Sequence, residues 1–115
     1  MPLLKVVTSA PAPPDPDALL QALSHLLARE LGKPESYVMT CLEPRARMTF
    51  GGSAAPACQV EIASVGTLTR ELTSQLSRSV TAEVSRALDV PADRVYIVFT
   101  DVRPHMWGYG GDTFA

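Results

Sequence analysis

The sequence predicts an α/β (α+β) domain built from two tandem β-α-β units, which form a four-stranded mixed sheet with both helices on one face. Short, strand-like apolar segments alternate with two longer amphipathic segments along the chain, and this alternation is typical of β-α-β units. Prolines and glycines fall between the segments, where they favour turns. The 115 residues suffice for one hydrophobic core, and we therefore expect a single domain over residues 1–115.

The chain opens with a predicted strand and a proline-rich loop. Residues 3–7 are apolar except for Lys5, a composition typical of a central strand that is covered on at least one face. Residues 11–17 contain too many prolines for a helix interior or a central strand. The loop therefore leads to a helix, whose free backbone N–H groups Asp15 or Asp17 can cap.

A helix and a second strand follow the loop. Leucines recur at intervals of three and four residues across 17–31, which predicts a helix with one buried stripe. Gly32 ends this helix in the position that helix C-termini favour, and His25 lies on the exposed side. Residues 37–42 are rich in β-forming side chains and are followed closely by Pro44, which predicts the second strand.

The second half of the chain repeats this plan. Polar and apolar residues alternate over 58–65, as in a strand with one buried face. Apolar residues at helical spacing mark a long amphipathic helix over 68–88, and residues 95–100 form a final apolar strand. Three pairs of equivalent residues lie 57 positions apart: Leu31 and Leu88, Pro34 and Pro91, and Val38 and Val95. The sequence therefore predicts an approximate internal duplication that relates 2–44 to 58–101.

The predicted topology leaves one face of the sheet uncovered. The two strands of each β-α-β unit are expected to be parallel, with a right-handed helical crossover, so both helices cover the same face. The opposite face is expected to be apolar and open, because the chain has no third layer to cover it. An exposed apolar patch of that size favours association, and we therefore expect an oligomer.

Composition excludes several classes of protein. With 46% hydrophobic and 19% charged residues, the chain has the make-up of an ordinary globular domain rather than of a disordered tail. Its apolar runs are far shorter than the roughly 20 residues of a membrane span. The net charge is −2 and no basic run occurs, which argues against a nucleic-acid partner. No signal peptide is recognisable, so a cytoplasmic location is expected, with secretion by a non-classical route left open.

Few residues suggest metal or cofactor chemistry. Cys41 and Cys58 are too few for a disulfide framework and lack the spacing of a zinc site. His105 has no second histidine at ligand spacing, which favours a loop residue over a metal or haem ligand. The glycine-rich segment 108–111 is expected to be a flexible turn, since no strand and helix flank it as in a phosphate-binding loop. We expect neither a metal nor an organic cofactor.

Pro2 is the most suggestive single residue. If Met1 is removed, the Pro2 nitrogen becomes a secondary amine, which titrates nearer neutrality than a lysine. Burial and a neighbouring cation would both lower its pKa further, so that it could serve as a general base. Lys33, directly after Gly32, could supply that cation and bind an anionic substrate. Both residues also have ordinary interpretations, because many chains begin Met-Pro without consequence and a lysine is favourable at any helix C-terminus.

A set of short segments, in order and at fixed spacing from Pro2 to Ala115, carries a resemblance to a known family. The segments are Pro2, Leu31-Gly32-Lys33-Pro34 with Tyr37, Phe50-Gly51-Gly52-Ser53, Ser64-Val65-Gly66, Asp93-Arg94-Val95-Tyr96-Ile97, and Thr113-Phe114-Ala115. Together they resemble the macrophage migration inhibitory factor (MIF) family of the tautomerase superfamily. The similarity covers the chain with almost no gaps.

The resemblance implies a homotrimer, in which three four-stranded sheets form a barrel with the helices outside. It also implies cofactor-independent keto–enol tautomerisation of an α-keto acid, of the phenylpyruvate or dopachrome type, with the Pro2 amine as base and then acid. Lys33 would hold the substrate carboxylate, and the backbone at Ser64 and Val65 would provide hydrogen bonds at the pocket wall. The aromatic residues implied around the substrate are Tyr37, Trp107, Tyr109, Phe114 and, from a neighbouring subunit, Tyr96.

Three departures from the family pattern stand out. Val98 occupies a position where well-studied members have an asparagine, so a polar substrate contact is lost and specificity or rate is expected to differ. Trp107 and Tyr109 replace a smaller residue and a tryptophan, which keeps aromatic bulk but changes the shape of the pocket mouth. Cys58 is a single thiol, out of register with the family's Cys-x-x-Cys pair, and we predict no dithiol redox activity.

Two alternatives to an active enzyme stay open at this point. The family also contains cytokines, so the protein could act by binding a protein receptor, with the Pro2 pocket a vestige. A retained Met1 would turn the Pro2 nitrogen into a tertiary amide without basicity, and the site would then be inactive.

Overall fold

The structure is a computed structural model that describes residues 1–66 and 68–115. The main sheet contains four strands: β1 (Pro2–Thr8), β2 (Met39–Glu43), β3 (Cys58–Val65) and β4 (Val95–Val102). Two helices connect the strands of each half: α1 (Pro16–Leu31) and α2 (Arg70–Leu88). A short hairpin lies near the end of the chain: β5 (Gly108–Tyr109) and β6 (Asp112–Thr113).

The order of strands in the sheet is β2-β1-β3-β4. The pairs β1–β2 and β3–β4 are parallel, whereas the central pair β1–β3 is antiparallel. Each half is therefore a β-α-β unit, and the two units join through β1 and β3. The predicted mixed sheet with two helices on one face is confirmed.

One face of the sheet and one stripe of each helix form the core. Burial alternates along β1 and β3, which is the pattern of strands with one covered face. Leucines of α1 and both leucines and valines of α2 pack against that face at helical spacing. The fully buried side chains of this cluster are Leu4, Val6, Leu23, Leu27, Val60, Leu76, Val80 and Val84.

Local signals in the sequence account for the ends of both helices. The Asp15 side chain accepts a hydrogen bond from the Ala18 N–H at 3.1 Å, and the Thr69 hydroxyl accepts one from the Leu72 N–H at 3.2 Å. Both bonds satisfy N–H groups that a helix leaves without a partner. At the C-termini, Gly32 (φ 64°) and Asp89 (φ 55°) both have left-handed backbone. These two caps lie 57 residues apart, as do the 3₁₀ turns Glu35–Tyr37 and Ala92–Arg94.

Several predicted segments differ in detail from the structure: β1 and β4 are longer than predicted, α2 begins at Arg70, and two further segments differ in kind. Tyr37 is not in a strand, because the chain after Pro34 forms a 3₁₀ turn in which the Tyr37 N–H donates to the Pro34 carbonyl at 3.1 Å. The second strand therefore begins at Met39 and not at position 37. The segment 108–111 is the centre of the β5–β6 hairpin, with φ positive at Gly110 and Gly111.

The uncovered face of the sheet is more polar than expected. Lys5 lies on this face with its Nζ 3.4 Å from Oε1 of Glu43, and Glu61 pairs with Lys5 across β1 and β3. The prediction of an apolar open face was wrong, because the alternation that buries Leu4 and Val6 turns the polar residues of the same strands outward. Association through this face has to accommodate charge as well as apolar surface.

The length and hydropathy of a helix determine whether it could cross a membrane. Within 1–66 and 68–115, neither α1 nor α2 combines the length and the apolar character that a bilayer crossing requires.

The two left-handed helix caps predict opposite effects of substitution. Gly32→Ala places a side chain in a conformation that only glycine adopts without strain, so we expect it to lower the free energy of unfolding by about 1 kcal/mol. Asp89→Gly removes the same strain and a negative charge at a helix C-terminus, so we expect it to raise that free energy by a few tenths to about 1 kcal/mol. Urea unfolding of the two variants checks this, and effects of the same sign would contradict it.

Candidate active site

A cavity of about 520 Å³ lies at the start of β1. Four parts of the chain surround it: residues 1–3, residues 36–39 at the start of β2, residues 106–109 around β5, and Phe114 after β6. The residues that line it are Met1, Pro2, Leu3, Ser36, Tyr37, Val38, Met39, Met106, Trp107, Gly108, Tyr109 and Phe114. Most of these side chains are apolar or aromatic, as in pockets that bind small organic molecules.

Pro2 is fully buried at this cavity, as the first residue of β1. Its antiparallel partner on β3 is Ser64, which is also buried, with 2% of its surface exposed. The pairing places the end of β3, and with it Val65, beside the first residues of the chain. The Val65 N–H donates a hydrogen bond to the carbonyl of Met1 at 3.4 Å.

Lys33 reaches the same place from the end of α1. The left-handed turn at Gly32 ends the helix, and the Lys33 N–H closes the turn with a 3.0 Å bond to the Ala28 carbonyl. From there the Lys33 Nζ donates to the carbonyl of Val65 at 3.3 Å. Gly66 lies alongside, since a Cβ on it would be 3.7 Å from this Nζ. Val65 therefore connects the lysine with the start of the chain.

The electrostatics at the chain start favour a neutral amine. The pKa of the Met1 amine is below its ordinary value, first because burial disfavours the charged form and second because Lys33 is a nearby positive charge. The same two causes would act on an amine at Pro2, which is more deeply buried than Met1.

An aromatic wall closes the other side of the cavity. The ring of Tyr109 meets that of Tyr37 edge to face, with centroids 5.7 Å apart, and stacks on that of Phe114 at 5.5 Å. The Phe114 N–H donates to the Pro104 carbonyl at 3.1 Å, which ties the last residues to the segment that carries Trp107. Such ring pairs are rigid and apolar, and they suit a flat hydrophobic group.

Two predicted site residues lie away from this cavity within one chain. Tyr96 pairs with Gln59 on β3, five residues from the partner of Pro2, and packs on the Phe50 ring with centroids 4.6 Å apart. Its surface is 64% exposed. Val98 is also exposed and lies on the uncovered face of the sheet. Of the other predicted residues, Lys33, Ser64 and Val65 lie beside the start of the chain without lining the cavity. Those that line it within one chain are Pro2, Tyr37, Trp107, Tyr109 and Phe114.

Sequence reasoning missed two methionines of the cavity. Met39 and Met106 line it although 65% and 69% of their surfaces are exposed, so they form its rim. Met39 begins β2 as the neighbour of Leu3 in the sheet, and Met106 ends a 3₁₀ turn directly before Trp107. The parallel pairing of β1 and β2 was predicted, and in the right register it would have revealed Met39.

Neither the cysteines nor the histidines line the cavity. Burial raises the pKa of the Cys58 thiol to about 11, which keeps it protonated and unreactive at neutral pH. Cys41 is a second free thiol, on the uncovered face beside Lys5. In the part of the chain that the structure describes, no three His, Cys, Asp or Glu side chains come together as metal ligands would.

Comparison with known proteins matches the chain from end to end. A sequence profile described as macrophage migration inhibitory factor (MIF) matches residues 1–115. The chain belongs to the MIF family. This family is part of the tautomerase superfamily, and membership supports an isomerase-type activity in general.

Individual MIF relatives agree with this assignment. The chain is 34% identical to macrophage migration inhibitory factor of Xenopus tropicalis over 115 residues, which covers 100% of both proteins. It is 35% identical to a homologue from Trichuris trichiura over 114 residues, covering 99% of this chain and 100% of that one. Among solved structures, the homologue from Prochlorococcus marinus superimposes with a TM-score of 0.96 at 45% identity, covering 98% of this chain and 99% of that one. The fold of this MIF-family chain is therefore that of its relatives.

The electrostatic role of Lys33 is testable without reference to any substrate. We expect Lys33→Met to raise the pKa of the chain-terminal amine toward the roughly 7.7–8.0 of an ordinary one, because loss of the cation favours the protonated form. The pH dependence of amine alkylation, followed by mass spectrometry, reports this pKa. Arg29→Gln, which removes an exposed charge in the last turn of α1, is the matched control. An unchanged pKa in Lys33→Met would contradict the role.

Proposed function

We propose that this MIF-family chain is a cofactor-independent keto–enol tautomerase of the phenylpyruvate type, with the Pro2 amine as its base. The observation that carries the proposal is the position of buried Pro2 at an apolar cavity, linked through Val65 to Lys33. The proposal requires removal of Met1, which converts the Pro2 nitrogen from an amide to an amine.

The proposed chemistry uses one group twice. The neutral amine of Pro2 removes a proton from the carbon next to the substrate carbonyl and then returns a proton at the other end of the enol system. One C–H bond breaks and one new bond to hydrogen forms, so the reaction needs no oxidant or reductant. A lowered pKa matters here, because the amine has to be unprotonated at neutral pH to act as base.

Lys33 and Val65 are suited to hold the anionic end of the substrate. One N–H of the Lys33 ammonium group bonds to the carbonyl of Val65, and an ammonium group has three donors. The Val65 N–H donates to the Met1 carbonyl, so removal of Met1 turns this N–H into a donor facing the cavity. Ser64 anchors the strand end by its pairing with Pro2. Two donors would then bind the carboxylate and stabilise charge on the enolate oxygen.

The aromatic wall would receive the ring of the substrate. Tyr37, Tyr109 and Phe114 form a rigid apolar surface, and Trp107 lines the same cavity. A phenyl or similar flat group fits such a wall, whereas a second carboxylate would lose its hydration without a partner. The proposed substrate class is therefore an aromatic α-keto acid.

We also propose that three copies assemble and share their sites. Tyr96 and Val98 lie on exposed positions of β4, an edge strand of the sheet, and they reach a Pro2 cavity only if it belongs to a second copy. The family's trimeric barrel would provide this arrangement. In it the uncovered face, with Lys5 and Glu43, turns toward the centre of the assembly.

A second candidate function is recognition by a protein receptor, as in a cytokine. The names of the curated relatives, macrophage migration inhibitory factor, favour this candidate. Receptor binding that is indifferent to Pro2→Gly would separate it from the enzyme. For the enzyme a cytoplasmic location suffices, whereas the receptor role requires that the protein leave the cell.

The catalytic base gives the first prediction for activity. We expect phenylpyruvate ketonisation to scale with the fraction of protein that lacks Met1, as measured by mass spectrometry, since only that fraction has a basic nitrogen. Pro2→Gly, which has a weaker primary amine, should lower kcat/KM by about a hundredfold or more. Equal activity in chains with and without Met1 would contradict the assignment.

The pKa of the Pro2 amine also determines how kcat/KM depends on pH. Because the unprotonated amine is the base, kcat/KM should rise with pH through the pKa of that amine and level off above it. Burial and Lys33 lower the pKa of the terminal amine, so the midpoint of the rise should lie below the roughly 7.7–8.0 of an ordinary chain-terminal amine. A rise that continues beyond pH 8.5 would show an unperturbed amine.

Val98 is expected to set a preference among ring substituents. Val98→Asn adds an amide that can bond to a ring hydroxyl, so we expect it to shift the kcat/KM ratio toward 4-hydroxyphenylpyruvate over phenylpyruvate by about three- to tenfold. Val98→Leu, which stays apolar, is the control and should leave the ratio within about twofold. An unchanged ratio in Val98→Asn would place residue 98 outside the site.

A further inference from the structure

One arginine holds a whole loop of the chain through main-chain carbonyls. The guanidinium group of Arg94 donates to the carbonyls of Phe50 (3.2 Å), Ser53 (3.1 Å), Ala55 (2.9 Å) and Pro56 (2.8 Å). All three nitrogens of the group take part. Only the fork of an arginine can reach four carbonyls in this way, because a lysine offers a single nitrogen.

The loop that Arg94 holds has an irregular backbone. Gly51 and Gly52 both have positive φ, and Phe50 and Ser53 exchange backbone hydrogen bonds of 2.9 and 3.1 Å across this turn. The carbonyls of Phe50 and Ser53 therefore each accept a backbone bond as well as one from Arg94. By adding the carbonyls of Ala55 and Pro56, the arginine ties the turn to the residues that follow it and so fixes the conformation of the loop.

The same arginine fixes the ring of Phe50. Its guanidinium carbon lies 5.2 Å from the centroid of that ring, within the range of a cation–π contact. The other neighbour of the ring is Tyr96, whose centroid is 4.6 Å away at an interplanar angle of 49°. The Phe50 ring therefore lies between Arg94 and Tyr96, an exposed tyrosine two residues after Arg94 in the sequence.

We propose that Arg94 is a positioning residue for substrate binding, which acts by holding Phe50 against Tyr96. The inference rests on the proposed function, in which Tyr96 completes the Pro2 cavity of a neighbouring copy. An exposed tyrosine would otherwise sample several rotamers, and a ring that is already oriented loses less conformational freedom when substrate binds. Arg94 itself touches neither the substrate nor the base.

The experiment compares two single variants, the double variant that combines them, and a control. Arg94→Lys keeps the charge but not the four carbonyl bonds, and Phe50→Leu keeps those bonds but not the ring contact. The control, Arg78→Lys, alters an exposed arginine whose Nη1 bonds to the Ser74 hydroxyl on the same helix. For each we measure kcat and KM for phenylpyruvate, the molecular mass in solution, and the nuclear Overhauser contacts between the rings of Phe50 and Tyr96.

We expect KM to rise about three- to tenfold in Arg94→Lys and in Phe50→Leu, with kcat within about twofold of the unmodified protein. The ring contacts should disappear in Arg94→Lys, and the control should change neither quantity. The double variant should have the KM of Phe50→Leu alone, because both changes act through Tyr96.

Other outcomes overturn the inference. A KM that is unchanged in Arg94→Lys, or that rises independently in the double variant, would show that Arg94 does not act through Phe50. A fall in kcat without a rise in KM would do the same. Intact ring contacts in Arg94→Lys overturn the inference whether or not any protein is active, whereas inactivity of the unmodified Met1-free protein overturns the proposed function itself.

Discussion

The antiparallel pairing of β1 with β3 is the interaction on which the rest of the structure depends. It joins two β-α-β units that could otherwise only lie side by side, and it sets the register in which Pro2 meets Ser64. This register places Val65 beside the start of the chain, where the Lys33 Nζ, brought there by the turn at Gly32, donates to the Val65 carbonyl. A shift by one residue would turn Pro2 to the opposite face and separate the three groups.

The site balances two opposing electrostatic demands. An apolar cavity favours a neutral amine, but the proposed substrate is an anion that needs a positive charge nearby. The chain meets both demands by placing the charge on a second residue, at the end of α1, where the helix dipole stabilises it. In the proposed mechanism this cation attracts the substrate, and the same positive charge lowers the pKa of the amine. The Lys33 charge can serve both purposes because the Lys33 Nζ and the amine nitrogen at the start of the chain both lie close to Val65.

Much of the fold was predictable, because its signals are local. The strand 58–65 and the C-terminal end of α1 follow from alternation, periodicity and a glycine, and the structure has the same bounds there. The end of β2 lies one residue beyond the predicted end, at Glu43, directly before Pro44. The open face was mispredicted, since its polarity depends on which residues of each strand turn outward together. Pro2 and Lys33 could be paired from the residues only as one of several interpretations, and the resemblance favoured that pairing. The partners of Arg94 were not predictable, because main-chain carbonyls leave no trace in a sequence.

The position of the single tryptophan has a practical consequence. The chain has one tryptophan, and Trp107 lines the cavity between Gly108 and Met106. The intrinsic fluorescence of the protein on excitation of indole therefore comes from the wall of one pocket. Emission wavelength and quenching become a direct optical signal of what occupies that pocket. Ligands of this pocket can therefore be titrated by the fluorescence of Trp107, without a label and without measuring turnover.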